Sequence, residues 1–458
     1  MFGFGILNFL RTLTIPILYF GGIVTMVVSV FKKPEWGFFL LVALIPQPNI
    51  YYKLYEFPFG KDFMDLLYFS VLLGVFINKG GFTITRNSII IIILIIASYI
   101  SIWNTTFNFA LPLPLTTENP VIKPWKNYAM MIFMYFLGLN VIKEEERDHK
   151  IVLLIMTLAV LFISVRSFRA FSGGAEFSYG RRYEGPFWVV LLGANHFGSF
   201  IAQYWALFLG LLFYDKDVKR RIIYLVTIVF CLHPLFFSYS RGAYMAAFSA
   251  LVFYGIVKKR ILLVGILIIG LFWQDLLPAS VVDRILMTTG QSGELEHSAA
   301  VRLDLWNHAI GLFLQNPIFG VGIGGFGLTI PEELFYKDTH NFYLKMLSEQ
   351  GVIGIGLLAI ILYGAIKSGF ELTQIGGSEF HKGLGFGFLG CVIACIVNNI
   401  FGDRWSYPTL GGYLWLAWGM VDRSILLSER VVDAVVKIEN NNISKKRGNL
   451  PERINKNE

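Results

Sequence analysis

The sequence predicts an all-α polytopic membrane protein. Of its 458 residues, 55% are hydrophobic and only 15% are charged, and the mean hydropathy is +0.60. A soluble domain carries about a quarter charged residues. Apolar runs of about 17 residues or more, long enough to cross a hydrocarbon core of about 30 Å, recur along most of the chain. We therefore expect about 12 or 13 transmembrane helices.

The predicted spans are separated mainly by short loops. Their approximate ranges are 14–31, 36–50, 63–78, 88–104, 126–142, 151–167, 187–213, 222–238, 242–257, 261–277, 351–368, 383–401 and 409–424. The first run is the least regular because Arg11 and Pro16 interrupt it, and no small-residue signal-peptide cleavage site follows it. The spans together predict one transmembrane domain over residues 1–425 and a polar, mobile tail over residues 426–458.

Basic loops set the predicted orientation, because short loops rich in Lys and Arg stay in the cytoplasm. The clearest examples are "DKDVKRR" (Asp215–Arg221) and "KKR" (Lys258–Arg260). They place the tail in the cytoplasm and residues 278–340 outside, as the one loop with room for short helices of its own. The net charge of +8 is thus mostly a topology signal, and we expect no nucleic-acid partner.

The three cysteines, Cys231, Cys391 and Cys395, lie inside apolar runs. They show no metal-ligand spacing with histidines and no disulfide pattern. We interpret them as small buried residues and expect no metal site.

Three charged or titratable residues stand at or near the outer ends of predicted helices. Arg241 begins "RGAYMAAFSALVFY", Arg302 lies near the start of the predicted loop helix "AAVRLDLWNHAIGLFLQNP", and His340 with Asn341 opens "HNFYLKMLSEQGVIG". Ionisable groups beside hydrocarbon are costly and raise a functional hypothesis. Each also has a structural explanation: Arg241 reaching the headgroups, Arg302 paired in a solvated loop, and His340 and Asn341 capping a helix.

Residues 166–186 are arginine-rich although they are predicted to lie outside, where cations are disfavoured. Arg181 and Arg182 in this segment are candidates for attracting an anionic ligand. Asn195 and His196 in "GANHFGSF" lie within an apolar run. They fit either the lining of a polar cavity or a hydrogen-bonded pair between packed helices.

Two further motifs have competing explanations. Asp403 and Arg404 in "NNIFGDRWSYP" are most simply an ion pair at a turn. The stretch "NPIFGVGIGGFG" (Asn316–Gly327) matches G-x-G-x-x-G, but a dinucleotide site needs a preceding strand, and a predicted helix precedes this one. Its glycines instead let the backbone turn tightly and approach another surface or a phosphate.

Three segments in this order resemble the O-antigen ligase and polymerase family of integral membrane glycosyltransferases. They are "SYSRGAYMAAFSAL", "VRLDLWNHAIGLFLQNPIFGVGIGGF" and "THNFYLKMLSEQGVIGIGLL", within Ser238 to about Leu358. The resemblance implies a glycan donor on undecaprenyl pyrophosphate at the periplasmic face of the inner membrane. It implies that Arg241 and Arg302 grip the pyrophosphate and that His340 acts on the acceptor hydroxyl. No metal, nucleotide sugar or other cofactor is implied.

The resemblance leaves the acceptor open. A ligase transfers the glycan to lipid A–core, a polymerase to another lipid-linked repeat unit, and a third branch to protein hydroxyls with the help of a larger outer domain. The modest outer stretch favours the ligase, and Arg181, Arg182, Asn195, His196 and Asn341 are further candidate contacts to donor or acceptor. The competing class, a lipid-linked sugar flippase, predicts ionisable groups near the membrane midplane, whereas these candidates lie near the outer face.

Overall fold

A computed structural model describes the backbone of residues 2–142, 146–170, 177–178, 180, 182–287, 297–330 and 338–448. Within these ranges the secondary structure is helical, without a β-strand. The first helices are α1 (Phe2–Phe31), α2 (Pro34–Leu44), α3 (Pro48–Tyr51), α4 (Phe63–Lys79), α5 (Arg86–Asn108), α6 (Ile122–Asn140), α7 (Arg147–Ala170) and α8 (Ala194–Tyr214). The later ones are α9 (Val218–Phe237), α10 (Arg241–Val257), α11 (Ile261–Leu276), α12 (Ala279–Leu286), α13 (His297–Gln315), α14 (Phe326–Thr329), α15 (Phe342–Ile375), α16 (Glu379–Asn398) and α17 (Pro408–Gly448).

These helices confirm the predicted all-α polytopic class, and every predicted apolar run falls on a helix. The predicted count of about 12 or 13 spans stays a prediction. Among the described residues, seven helices are long and apolar enough to cross a membrane, or eight if α11 and α12 form one bent span. Four of the predicted spans fall on short helices, whereas a full crossing needs about 20 residues. These helices are α2 with 11 residues, α4 with 17, α10 with 17 and α11 with 16.

Two predicted boundaries differ from the structure. The run predicted at 187–213 is divided, because a 3-10 helix at Gly185–Val190 ends at Leu191, which has φ +59°, before α8 begins. Helix α17 continues from Pro408 to Gly448, through the predicted start of the tail, and residues 449–458 lie outside the described ranges. The cytoplasmic location of the tail stays a prediction.

Helices α12, α13 and α14 lie within the predicted outer loop of residues 278–340. Helix α12 follows α11 with a bend of 104°. Only one face of α12 is buried, through Ser280, Val281 and Arg284. The loop therefore contains short helices, as the sequence predicted, and α12 turns back against the rest of the protein.

Helices α8 and α16 lie at the centre of the fold. Of the residues in the apolar segment that could cross a membrane, 83% are buried in α8 and 72% in α16. Their backbones approach so closely that a Cβ added at Gly210 would lie 2.3 Å from the Cα of Gly387. Small residues permit such contacts between membrane helices, where van der Waals packing drives association. The three cysteines are buried free thiols, as predicted.

We predict that Gly387→Val lowers the thermal unfolding temperature of the purified protein, because the added side chain separates α8 from α16. Overpacking of this kind costs about 1–3 kcal/mol. The matched control is Gly265→Val in α11, where an added Cβ meets no atom within 4 Å. Equal unfolding temperatures for the two variants in nanodiscs would show that the close contact does not stabilise the fold.

Candidate functional site

Apart from Arg181, which lies outside the described residues, the predicted site residues lie toward one end of the helices. This end, here called the site end, is where α8, α10, α15 and α17 begin and α9 and α16 end. The turn between α9 and α10 is residues 238–240, here called the arginine turn because Arg241 follows it. Tyr239 in this turn has φ +49°, a left-handed conformation that non-glycine residues seldom adopt. Its hydroxyl donates to Ser280 Oγ at 2.9 Å, which fixes α12 beside the turn.

Arg182 holds the arginine turn in place. Its Nε and Nη2 atoms donate to the carbonyl of Ser238 at 3.0 and 2.9 Å, and Nη2 also donates to Asn195 Oδ1 at 2.5 Å. Burial, and then the charge of Arg284, lower the pKa of Arg182 to about 10, which leaves it charged at neutral pH. Two sequence candidates, Arg182 and Asn195, thus bind each other beside the turn, whereas Arg181 lies outside the described residues.

Arg284 is a site residue that the sequence analysis missed. It is 5% exposed on α12, and its guanidinium carbon lies 4.9 Å from the centre of the Phe177 ring. It is within electrostatic range of both Arg182 and Arg241, which means that its charge is close enough to repel theirs. The available signal was a lone arginine among apolar residues in "VVDRIL", but its placement depends on the bend before α12.

Helix α13 connects Arg302 to the histidine. Trp306, one helical turn after Arg302, donates its indole N–H to the carbonyl of Thr339 at 3.0 Å. Thr339 is fully buried immediately before His340. Arg302 is within electrostatic range of Arg241 and His340, so this helix places its charge between them.

His340 has a strained backbone at the start of α15, with φ +52°. Its Nδ1 lies 3.8 Å from Asp338 Oδ2, and its side chain is 30% exposed. Asn341 caps α15, since its Oδ1 accepts from the backbone N–H groups of Tyr343 and Leu344 at 3.0 and 3.2 Å. Strain of this kind persists only where the surrounding structure imposes it, and it is concentrated at functional sites.

The surroundings of His340 favour its neutral form. Burial lowers the pKa of His340, the Asp338 carboxylate opposes that change, and the positive charges of Arg302 and Arg404 add to it. A neutral imidazole accepts a proton, as a general base must.

Residues 402–407, here called the bridging loop, join α16 to α17 at the site end. The predicted Asp403–Arg404 side-chain ion pair is wrong: Asp403 Oδ2 binds Lys345 Nζ at 2.8 Å, and Oδ1 accepts from the backbone N–H groups of Trp405 and Ser406. Arg404 is instead directed toward the site, within electrostatic range of Asp338 and of Arg302. It is the second arginine that the sequence analysis missed.

His196 lies at the start of α8 on the other side of the bridging loop. The centre of its ring is 5.1 Å from that of Tyr407, and the two rings are at 86°. It is within electrostatic range of both Arg404 and His340. The hydrogen-bonded pair expected for Asn195 and His196 is absent from the described residues: Asn195 Oδ1 accepts from Arg182, and neither buried ring nitrogen of His196 has a hydrogen-bond partner there.

The glycine-rich stretch approaches other segments of the protein, as one of the two sequence interpretations expected. Helix α15 is broken at Gly351, which has φ +61°. The stretch supplies backbone hydrogen bonds to this break, from Val321 N–H to the Ser348 carbonyl at 2.9 Å and from Val352 N–H to the Pro317 carbonyl at 2.9 Å. The side chains of α5 also bind the stretch, for example Thr105 Oγ1 to the carbonyl of Ile323 at 2.7 Å.

Five arginines therefore lie at the site end, linked in neighbouring pairs: Arg182, Arg241, Arg284, Arg302 and Arg404. Two of them, Arg302 and Arg404, are close enough for their charges to act on His340. A protein-family comparison covers the segment that holds three of the five arginines and His340. Residues 226–359 match the model of the O-antigen ligase family. The match confirms the resemblance that the sequence analysis drew from Ser238 to about Leu358. No curated protein matches the chain.

The O-antigen ligase match supports O-antigen ligase-like glycan transfer by a multi-pass membrane protein, in polysaccharide biosynthesis. Arg182, His196 and Arg404 lie outside the matched segment, and the fold brings them to it. The site thus extends beyond the part of the chain that the family model describes.

We predict that His340 titrates below the usual histidine pKa of about 6.5. Asp338→Asn removes the carboxylate that stabilises the imidazolium and lowers this pKa further, whereas Arg302→Gln removes a repelling charge and raises it. The measurement is an NMR titration of histidine-labelled protein, with the His340 signal assigned by its loss in His340→Gln. A wild-type pKa at or above the usual value, or a rise in Asp338→Asn, would contradict this description of the site.

Proposed function

We propose that this protein transfers a glycan from undecaprenyl pyrophosphate to an acceptor hydroxyl at the periplasmic face of the bacterial inner membrane. The proposed acceptor is lipid A–core, which makes the reaction O-antigen ligation. The observation that supports the proposal is the position of Arg302, whose charge is close enough to act on both Arg241 and His340 at one end of the helices. That end faces the periplasm if the basic loops lie in the cytoplasm.

The proposed reaction forms one bond and breaks one. The acceptor hydroxyl oxygen attacks the anomeric carbon of the donor glycan, and the bond from that carbon to the diphosphate oxygen breaks. The diphosphate keeps the electron pair and leaves as undecaprenyl pyrophosphate. The hydroxyl proton passes to His340 and then to solvent, so the products are the glycosylated acceptor, undecaprenyl pyrophosphate and a proton.

The arginines suit the leaving group. Guanidinium groups form paired, permanently charged hydrogen bonds to phosphate oxygens. In the proposed reaction, negative charge accumulates on the diphosphate as its bond to the sugar breaks, and donors already aimed at such charge provide a large catalytic contribution. Arg241 and Arg302 are assigned this role, and Arg284 lies close enough to Arg241 to share it.

The histidine suits the incoming hydroxyl. Its pKa is lowered by burial, so the neutral, proton-accepting form predominates at neutral pH. The backbone on either side of His340 is held by two hydrogen bonds, from Trp306 to the Thr339 carbonyl and from the Asn341 N–H to Thr339 Oγ1. The apolar helices around the site provide the environment in which the long polyprenyl chain of the donor lies.

We predict that His340→Ala lowers the transfer rate by about 10²- to 10⁴-fold, the usual contribution of a general base. The assay uses full-length protein in nanodiscs with undecaprenyl-pyrophosphate-linked repeat units, with and without lipid A–core. Products are followed by gel and mass spectrometry. Transfer to lipid A–core by the wild type and its loss in the variant are the expected results.

The same assay distinguishes the alternatives. A ladder of lengthening lipid-linked glycans without lipid A–core would identify a polymerase instead of a ligase. Movement of the donor across the membrane with no new glycosidic bond would identify a flippase and overturn the proposal.

We also predict that Arg241→Gln and Arg302→Gln each lower the transfer rate by about 10²- to 10³-fold, because one charged donor to the leaving group is lost. Arg241→Lys is expected to recover only part of the rate, since lysine keeps the charge but loses the planar pair of donors. The matched control is Arg86→Gln, an exposed arginine at the start of α5. Wild-type rates in both glutamine variants, with unchanged unfolding temperatures, would remove these arginines from the mechanism.

A further inference from the structure

The bridging loop connects the two histidines of the site end through three contacts. The Tyr407 ring packs edge-on against His196 at 5.1 Å. At its other end the loop is attached to the start of α15, where Asp403 binds Lys345 and the Trp405 ring stacks on Phe342 at 6.0 Å. Phe342 is two residues after His340, so the loop places Arg404 between His196 and His340.

Arg404 is fixed within the bridging loop. Its backbone N–H donates to Asn399 Oδ1 at 3.0 Å, and its Nη1 donates to the carbonyl of Asp403 at 3.0 Å. Gly402 leaves room for the guanidinium: a Cβ at this position, which has φ +153°, would lie 2.7 Å from Arg404 Nη2. The side chain is therefore held in one position, and the residue is only 4% exposed.

Three residues around this point present buried polar atoms that have no hydrogen-bond partner among the described residues. These atoms are both ring nitrogens of His196, Oδ1 of Asp338 and Nε of Arg404. A buried polar group left unpaired costs about 1–3 kcal/mol, so folded proteins keep few of them, and functional sites are one place where they persist. Their juxtaposition indicates a place built for a polar ligand.

The chemistry of these atoms identifies the kind of ligand. An ionised carboxylate only accepts hydrogen bonds, a guanidinium only donates them, and an imidazole does either according to its tautomer. The ligand must therefore both donate and accept. A sugar hydroxyl does both, whereas a fully ionised phosphate only accepts and is repelled by the Asp338 carboxylate.

We propose that His196, Asp338 and Arg404 form the acceptor subsite, which binds the hydroxyl groups of the acceptor sugar. This inference rests on the proposed transferase function and assigns the two halves of the site. Arg241, Arg284 and Arg302 bind the diphosphate of the donor, and the acceptor sugar binds to His196, Asp338 and Arg404 beside His340. Because Asp338 Oδ2 is 3.8 Å from His340 Nδ1, a hydroxyl bound to Asp338 lies beside the base.

The subsite accounts for two features that donor binding leaves unexplained. A carboxylate lies next to the base in a site rich in arginine, where it would weaken the binding of an anion. His196 has its ring nitrogens buried at the start of α8, yet neither nitrogen binds another described residue. Both features fit a ligand rich in hydroxyl groups.

The test separates acceptor binding from donor binding. Full-length protein in nanodiscs is assayed at saturating undecaprenyl-pyrophosphate-linked repeat units while lipid A–core is titrated, and the Kd for the donor is measured separately. The variants are Asp338→Asn, His196→Gln and Arg404→Lys. Asp304→Asn and His308→Gln on α13 are the matched controls, since Asp304 is exposed and His308 Nε2 is hydrogen-bonded to Thr329 Oγ1 at 3.0 Å.

Each variant is expected to raise the KM for lipid A–core by about ten-fold, the effect of losing one hydrogen bond to a charged or buried partner. The Kd for the donor is expected to stay within about two-fold of the wild-type value, and the controls to match the wild type. A parallel titration uses repeat units as the acceptor, and in that arm the same variants are expected to slow chain growth if the enzyme is a polymerase. Asp338→Asn and His196→Gln keep the inference testable if Arg404→Lys unfolds.

Two results would overturn the subsite. Weaker donor binding with an unchanged KM for the acceptor would assign these atoms to the diphosphate. Wild-type values of both constants in Asp338→Asn and His196→Gln would assign them no ligand. Absence of transfer by the wild-type protein in both arms would instead overturn the proposed function, and the subsite with it.

Discussion

Mutual repulsion between buried arginines is the constraint on which the site end depends. Five arginines lie close enough together for neighbouring charges to interact in pairs: Arg182, Arg241, Arg284, Arg302 and Arg404. Two of them, Arg284 and Arg404, are less than a tenth exposed. Like charges in a region of low dielectric repel strongly. The arrangement persists because the surrounding backbone fixes the arginines, and an anion placed between them relieves the repulsion.

Several local structures provide that fixation. The carbonyl of Ser238 accepts two hydrogen bonds from Arg182, and Arg404 is held by the Asp403 carbonyl and by Asn399. These contacts are made by backbone carbonyls and amide side chains at helix ends rather than by carboxylate side chains. The guanidinium charges therefore remain available to a ligand.

Helix α15, which is broken at Gly351, positions several residues of the candidate site. Its first turns carry His340, Asn341 and Lys345 at the site end, and the break at Gly351 separates this part from the rest of the helix. Backbone groups of the glycine-rich stretch form hydrogen bonds with backbone groups on both sides of this break. A side chain of α5 binds the same stretch. The direction of His340 thus depends on residues that touch no substrate.

Local sequence was enough to predict the helices and the O-antigen ligase resemblance. Apolar runs predicted the helices because a membrane span must satisfy its backbone hydrogen bonds internally. Arg241, Arg302 and His340 were recognisable because each is a costly group beside such a run. An apolar run does not reveal where the helix it forms is short, as in α2, which has 11 residues.

The two missed arginines show where sequence reasoning fails. Arg404 follows Asp403 directly, which predicted a local ion pair, but the partner of Asp403 is Lys345, 58 residues away. Arg284 reaches the site only because α12 bends back by 104° from α11. Both placements are set by contacts between segments distant in the sequence, and no local pattern encodes them.

The most direct test of the central claim is the lipid selectivity of the full-length protein in nanodiscs, measured as Kd values for undecaprenyl pyrophosphate, undecaprenyl phosphate and undecaprenol. The account predicts that the pyrophosphate binds at least about ten-fold more tightly than the phosphate, that undecaprenol binds most weakly, and that added salt reduces the difference. Equal affinities for the three lipids would contradict it, since the arginines would then have no role in holding a diphosphate.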